Sequence, residues 1–186
     1  MAIAVTHPTV ADGTFSAAGA TNWDAGHTVT GAAESGANGD ITSLTALVTN
    51  TMDGTPNTDH TSVGPITSTF NAGESITVMD LVYFKSDGKW WKTDADAAAT
   101  SGGVLLAIAL ATVSADAALS VALPGSFVRD DTWNWTVGAV LYVGLAGGDV
   151  TATRPSATDD VVRVVGFAVS ADVIHFWPSA DYATVV

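Results

Sequence analysis

Apolar and polar residues alternate along this chain in short runs that end at glycine, proline or aspartate. In residues 76–84 (ITVMDLVYF), Ile76, Val78, Val82 and Phe84 share one face at a period of two, and Thr77, Met79, Leu81 and Tyr83 share the other. Both faces are largely apolar, so this run is expected to be a strand covered on both sides. Lys85-Ser86-Asp87-Gly88 follows and leads into Lys89-Trp90-Trp91. Asp-Gly between two β-rich runs is a hairpin signal, because glycine adopts a positive φ without steric cost.

The pattern returns 59 residues later. At that shift Thr77-Val78 falls on Thr136-Val137, Tyr83 on Tyr142, Gly88 on Gly147, and residues 105–110 on 164–169 without a gap. After a shorter connection, Leu123-Pro124 matches Trp177-Pro178. Few positions are identical, but the matched ones are turn glycines and alternating apolar sites, which a duplicated β-unit would retain. Strands are expected near 76–84, 89–93, 104–112, 119–123, 126–129, 137–143, 149–152, 161–169 and 173–177, with one helical turn within 94–101. Short strands at near-regular spacing predict an all-β barrel or sandwich over residues 70–186, with an internal repeat of 76–124 and 135–178.

Residues 1–69 read differently. Residues 1–39 hold little that would form a private core. Ile3, Val5 and Val10 suit a short strand, Phe15 and Trp23 are isolated anchors, and glycines punctuate the rest. No helical period appears, and an interior helix glycine costs about 1 kcal/mol relative to alanine. An extended arm draped over neighbouring subunits is expected. Residues 40–50 (DITSLTALVTN) fit a strand or a short helix capped by Asp40. Residues 51–69 carry the turn chemistry of a loop.

Charge narrows the partners. Nineteen acidic and 6 basic residues give a formal net charge of −13. Binding to nucleic-acid phosphates or to anionic membranes needs the opposite balance, so neither is expected. The most apolar window, 104–123, is interrupted by Thr112, Ser114, Asp116 and Ser120 and stopped by Pro124-Gly125. It reads as two strands joined near residue 115, not as a membrane helix. Cysteine is absent, which removes disulfides and thiolate metal sites. The first ten residues show neither a basic nor a long apolar signal region.

Catalytic chemistry is not evident. His7, His27, His60 and His175 are far apart, and a metal site at His60 beside Asp59 would need a second ligand cluster. Asp130-Asp131 and Asp159-Asp160 suit calcium or acid–base work in principle. They read first as solvated turn acids. No nucleophile elbow, phosphate loop, dinucleotide fingerprint or zinc-protease motif occurs. The chain is therefore expected to be no enzyme, with no catalytic residue, metal or cofactor.

Tryptophans say more. Trp90 and Trp91 are adjacent and must point to opposite faces of a strand, so one enters the core. Trp133 and Trp135 share a face if extended. Exposed aromatics mark a protein interface or a sugar-stacking platform. Phe15, Trp23, Trp90, Trp91, Trp133 and Trp135 are the interface candidates, whereas Trp177 is assigned to the core.

The succession VMDLVYFKSDGKWWKTDADAAAT, GVLLAIALA, VALPG, TVGAVLYVGLAGGDVTAT and VVRVVGFAVSADVIHFWPS resembles the small head-associated β-proteins of tailed bacteriophages, which decorate or cement capsids. The resemblance covers about residues 73–178. The segment ADGTFSAAGATNWDAGHTVTG is similar to stretches of phage tail and fibre proteins. The second repeat has Gly138-Ala139 where the first has Met79-Asp80, so the two units are not equivalent. What the resemblance implies is a virion structural protein on the capsid exterior, a homotrimer partnered by the major capsid protein. A fibre module that binds a receptor or glycan is the alternative.

Overall fold

A computed structural model of the protein describes residues 54–186. The expected arm over 1–39, its anchors Phe15 and Trp23, and the ambiguous run 40–50 lie outside the described residues.

Among the described residues thirteen short strands follow one another: β1 (Ser62–Val63), β2 (Ile66–Thr67), β3 (Leu81–Phe84), β4 (Trp90–Lys92), β5 (Leu106–Ala109), β6 (Val121–Ala122), β7 (Ser126–Arg129), β8 (Val140–Val143), β9 (Val150–Thr151), β10 (Val161–Val162), β11 (Val164–Ala168), β12 (Val173–Phe176) and β13 (Ala183–Thr184). A single helical turn, α1 (Ala98–Ser101), falls within the expected 94–101. The strands form an antiparallel six-stranded sheet, β1-β7-β12-β11-β8-β9, a five-stranded sheet, β2-β6-β5-β3-β4, and a small β10-β13 pair. Among the described residues both large sheets keep unpaired end strands, so the all-β expectation holds and the closed-barrel alternative does not. Residues 54–69 are more than loop, because β1 and β2 extend both sheets by pairing with β7 and β6.

The two sheets pack across one core. The five-stranded sheet contributes Leu81, Tyr83, Leu106, Ile108 and Ala122; the six-stranded sheet contributes Val128, Leu141, Val143, Val165, Ile174 and Phe176. The opposite face of the five-stranded sheet carries Val82, Trp90, Ala107, Ala109 and Val121, covered by Ala72, Ile76 and Leu119. So β3 is covered on both sides, as its two apolar faces predict. The strand is shorter than expected, however. Residues 77–80 form a turn in which Met79 takes φ 69, the Asp80 amide donates to the Thr77 carbonyl (3.1 Å), and the Asp80 carboxylate accepts from the Thr77 amide (2.7 Å).

The repeat seen in the sequence reappears in topology. Strand order β4-β3-β5-β6 in one unit matches β9-β8-β11-β12 in the other. Leu81↔Ile108 becomes Val140↔Phe167, a shift of 59 on both strands. The left-handed position recurs too: Met79 (φ 69) and Gly138 (φ 82) donate from their amides to Ala109 and Ala168 at 2.8 Å each. The second hairpin is one residue longer, since Tyr83 pairs Trp91 whereas Tyr142 pairs Thr151. A bulge at Val165 separates the Tyr142↔Val164 and Leu141↔Gly166 pairs.

Several matching positions nevertheless face different surroundings, although Leu106 and its counterpart Val165, at the bulge, both enter the shared core. Leu81 and Ile108 point into the shared core, but their counterparts Val140 and Phe167 point away from it. Val82 points away from the shared core, and its counterpart Leu141 points in. The front of the first unit thus packs on the back of the second.

A buried cation ties the units together. Arg163 is 5% exposed and donates from Nε to the Ser179 carbonyl (2.8 Å) and from Nη1 to the carbonyls of Ser101 (2.8 Å) and Val104 (2.9 Å). No carboxylate pairs with it among the described residues. Burial lowers its pKa from the ordinary guanidinium value.

Candidate functional site

Directly opposed residues of an antiparallel sheet project to the same side. Across the six-stranded sheet the register runs Val63↔Phe127, Phe127↔His175, His175↔Phe167 and Phe167↔Val140. These five residues form one row on the face turned away from the core. The Phe127 and His175 rings stack at 4.7 Å and 21°, and Trp177 lies 5.7 Å beyond His175. Phe167 is 44% and Trp177 59% exposed, and Val169, just past the end of β11, extends the patch. The row contains no carboxylate. Arg129, two residues along β7, is held by Asp131 and Asp172. This is an apolar, aromatic surface on a rigid sheet, the construction of a contact face.

Trp177, assigned to the core from sequence, is thus a correction. Its ring leans over Gly125, where an added Cβ would meet Cζ3 at 3.4 Å. Phe176 points into the core, so alternation turns its neighbour Trp177 outward, to the same side as His175.

Sequence candidates fall elsewhere. Trp90 is 1% exposed, packs its ring edgewise on Phe84 (4.9 Å), and fills the core, which removes it as an interface residue of the folded chain. Its Nε1 is buried with no acceptor. Trp91 takes the other face, as adjacency requires. It is fixed from three sides: Nε1 donates to Asp87 Oδ2 (3.0 Å), Lys85 Nζ sits 4.1 Å above the ring, and Gly73 lies beneath with no room for a Cβ. Trp133 and Trp135 do come together, with centroids 5.7 Å apart at 52°. Both are half-buried against the shared core, and Trp135 Nε1 lacks an acceptor.

The fold gives His60 the second ligand residue that the sequence did not show. His60 Nε2 is 3.5 Å from Asp59 Oδ2 and 3.8 Å from Asp130 Oδ1, and one donor atom from each of the three residues lies within 4.8 Å of the others. Those residues would hold a divalent cation if one bound. The carboxylates already serve the backbone, however. Asp59 Oδ1 accepts from the His60 and Asp131 amides (3.0 and 2.8 Å), and Asp130 Oδ1 accepts from the Thr132 amide and hydroxyl (2.8 and 2.7 Å). The cluster fastens the turn before β1 to the turn after β7. Asp130 is buried, as is Asp160, whose Oδ2 accepts from the Ala157 amide (2.7 Å). One acid of each pair is therefore a structural acceptor, where sequence suggested a solvated turn acid.

No protein-family model, curated protein or solved structure matches this chain.

Proposed function

We propose that this chain is a structural protein of a tailed-bacteriophage virion that decorates or cements the capsid, a β-body with an extended N-terminal arm that has arisen by duplication of one hairpin-based unit and works as a homotrimer. The observation that carries the reading is the row Val63, Phe127, His175, Phe167 and Val140 with Trp177 beside it. It is a carboxylate-free apolar face on a rigid sheet, in a chain whose motif pattern resembles head-associated β-proteins. A cement protein works by presenting apolar faces across subunit boundaries, to further copies of itself as well as to the shell, and the partners proposed here are other copies of this chain and the major capsid protein. The test adds purified protein to expanded, undecorated heads and follows co-sedimentation and resistance of the shell to heat. Binding that saturates and raises the disruption temperature supports the reading; no binding in micromolar protein overturns it.

The second reading is a receptor- or glycan-binding fibre module. The observation that favours it is the half-open ring series Phe127, His175 and Trp177, a shape on which a sugar ring stacks. Binding to a glycan array that is lost in Trp177→Ala distinguishes it.

A further inference from the structure

We infer that the outer face of the six-stranded sheet, centred on Phe167 with Phe127, His175 and Trp177, is where copies of this chain meet one another. The inference rests on the self-association in the reading above and not on the capsid.

Three observations carry it. First, the chain contains a worked example of what covers this face. Val140 and Phe167 are the counterparts of Leu81 and Ile108, which a sheet of the same strand order buries completely. In the second unit the equivalent face lacks that cover among the described residues: Phe167 is 44% exposed and Val169 38%. What covers the counterpart face in the first unit is a sheet face of this same chain, and a second copy offers an apolar sheet face of that kind.

Second, charge permits the pairing. A net charge of −13 makes two copies repel wherever carboxylates approach. The row has none, and Arg129, two residues along β7, is paired with Asp131 and Asp172. Copies therefore meet here without burying like charges. A strongly basic partner would gain nothing from this face.

Third, the patch is built to lose little on docking. Phe127 and His175 are already stacked, and Trp177 rests on Gly125, so the rings are ordered before contact. Preordered aromatic anchors are what concentrate binding energy in an interface.

The test is sedimentation velocity and equilibrium on the full chain over about 0.5–50 µM, with melting temperatures taken in parallel. Wild type is expected to associate. Trp177→Ala and Phe167→Glu are each expected to weaken that association by about 30-fold or more, the loss typical of a central aromatic anchor. Leu145→Glu, an exposed apolar site in the β8–β9 loop and off the row, is expected to leave it unchanged. Trp177 lies outside the strands, so its truncation keeps the question answerable if Phe167→Glu fails to fold. An associating wild type whose mass is untouched by Trp177→Ala and Phe167→Glu overturns the face but leaves self-association standing. A wild type that is monomeric at 50 µM overturns both. Head binding, measured separately, judges the capsid reading.

Discussion

Replacing Arg163 by methionine isolates the work of a buried guanidinium. The substitution keeps most of the stem volume and removes every donor. Three carbonyls then lose their partner: Ser101, in a fully buried residue, and Val104 and Ser179, both half-buried. A hydrogen bond to a charged donor is worth about 1.5–3 kcal/mol, and a stranded buried acceptor costs about 1–3 kcal/mol. Val104 and Ser179 can recover water, so most of the loss falls on Ser101. Against this stands the desolvated charge, whose removal is favourable. The balance should be a loss of about 2–4 kcal/mol, or roughly 30- to 700-fold in the unfolding equilibrium. Urea unfolding with linear extrapolation measures it. Hydrogen exchange locates it, with the greatest loss of protection expected at Gly102, whose amide bonds Ala98, and at the β10–β13 pair. Tyr182 packs over Gly102, so release of the Ser179 carbonyl frees the segment that holds this ring. Arg163→Lys should fall between the two, since one ammonium cannot reproduce the fork. If Arg163→Met is as stable as wild type or more so, the cost of burying the charge exceeds its three bonds, and the clamp is no stabilising device.

Gly166→Ala should destabilise by about 3 kcal/mol in urea unfolding, because its Cβ would overlap the backbone carbonyl of His175, which β12 cannot move; Gly138→Ala, at φ 82 in open space, should cost about 1 kcal/mol, since Met79 tolerates the matching position. The Tyr83 phenol is held above its ordinary pKa of 10.0, first by desolvation and then by Asp87 and Glu74. Its neutral form therefore contributes stability that is fully present below pH 10 and lost as pH rises through the raised folded value. Tyr83→Phe should give a shallower decline of unfolding free energy above that pH, and an unchanged slope would contradict the assignment. Deleting residues 1–39 should leave the melting temperature of the β-body almost unchanged while retention on heads falls sharply; a collapse of the melting temperature would remove the arm from the mechanism.

Much of the architecture was legible because strands and turns carry local signals. Every strand from β3 to β12 lies where alternation and turn residues place it, and the 59-residue shift anticipates the register of β8 on β11. What escaped was non-local. β1, β2 and β13 are two-residue strands that exist only through their partners, so no period marks them. Asp130 reaches His60 across 70 positions of sequence. The contact face was hidden for a sharper reason. Alternation shows that Phe167 and Ala168 point to opposite sides, but not which side meets the other sheet. The repeat does not settle it either, because its counterpart Ile108 is buried while Phe167 is exposed. The aromatic candidates Trp90 and Trp91 drew attention by size, and one is core while the other is locked to its own hairpin.

Front-on-back stacking has one more consequence. A contact between unlike faces has no natural stopping point, and repeated from chain to chain it would generate a filament. In this molecule the series is shut at one end. Ala72, Ile76 and Leu119, brought in by the bridges Ala72↔Trp90, Asn71↔Ala118 and Ile76↔Val113, occupy the place on the first unit where a further sheet would seat. The segments around residues 71–76 and 113–119 therefore act as a terminator. They leave one open sheet face per copy, so copies meeting there would use the same face of each and form a closed assembly and not a filament.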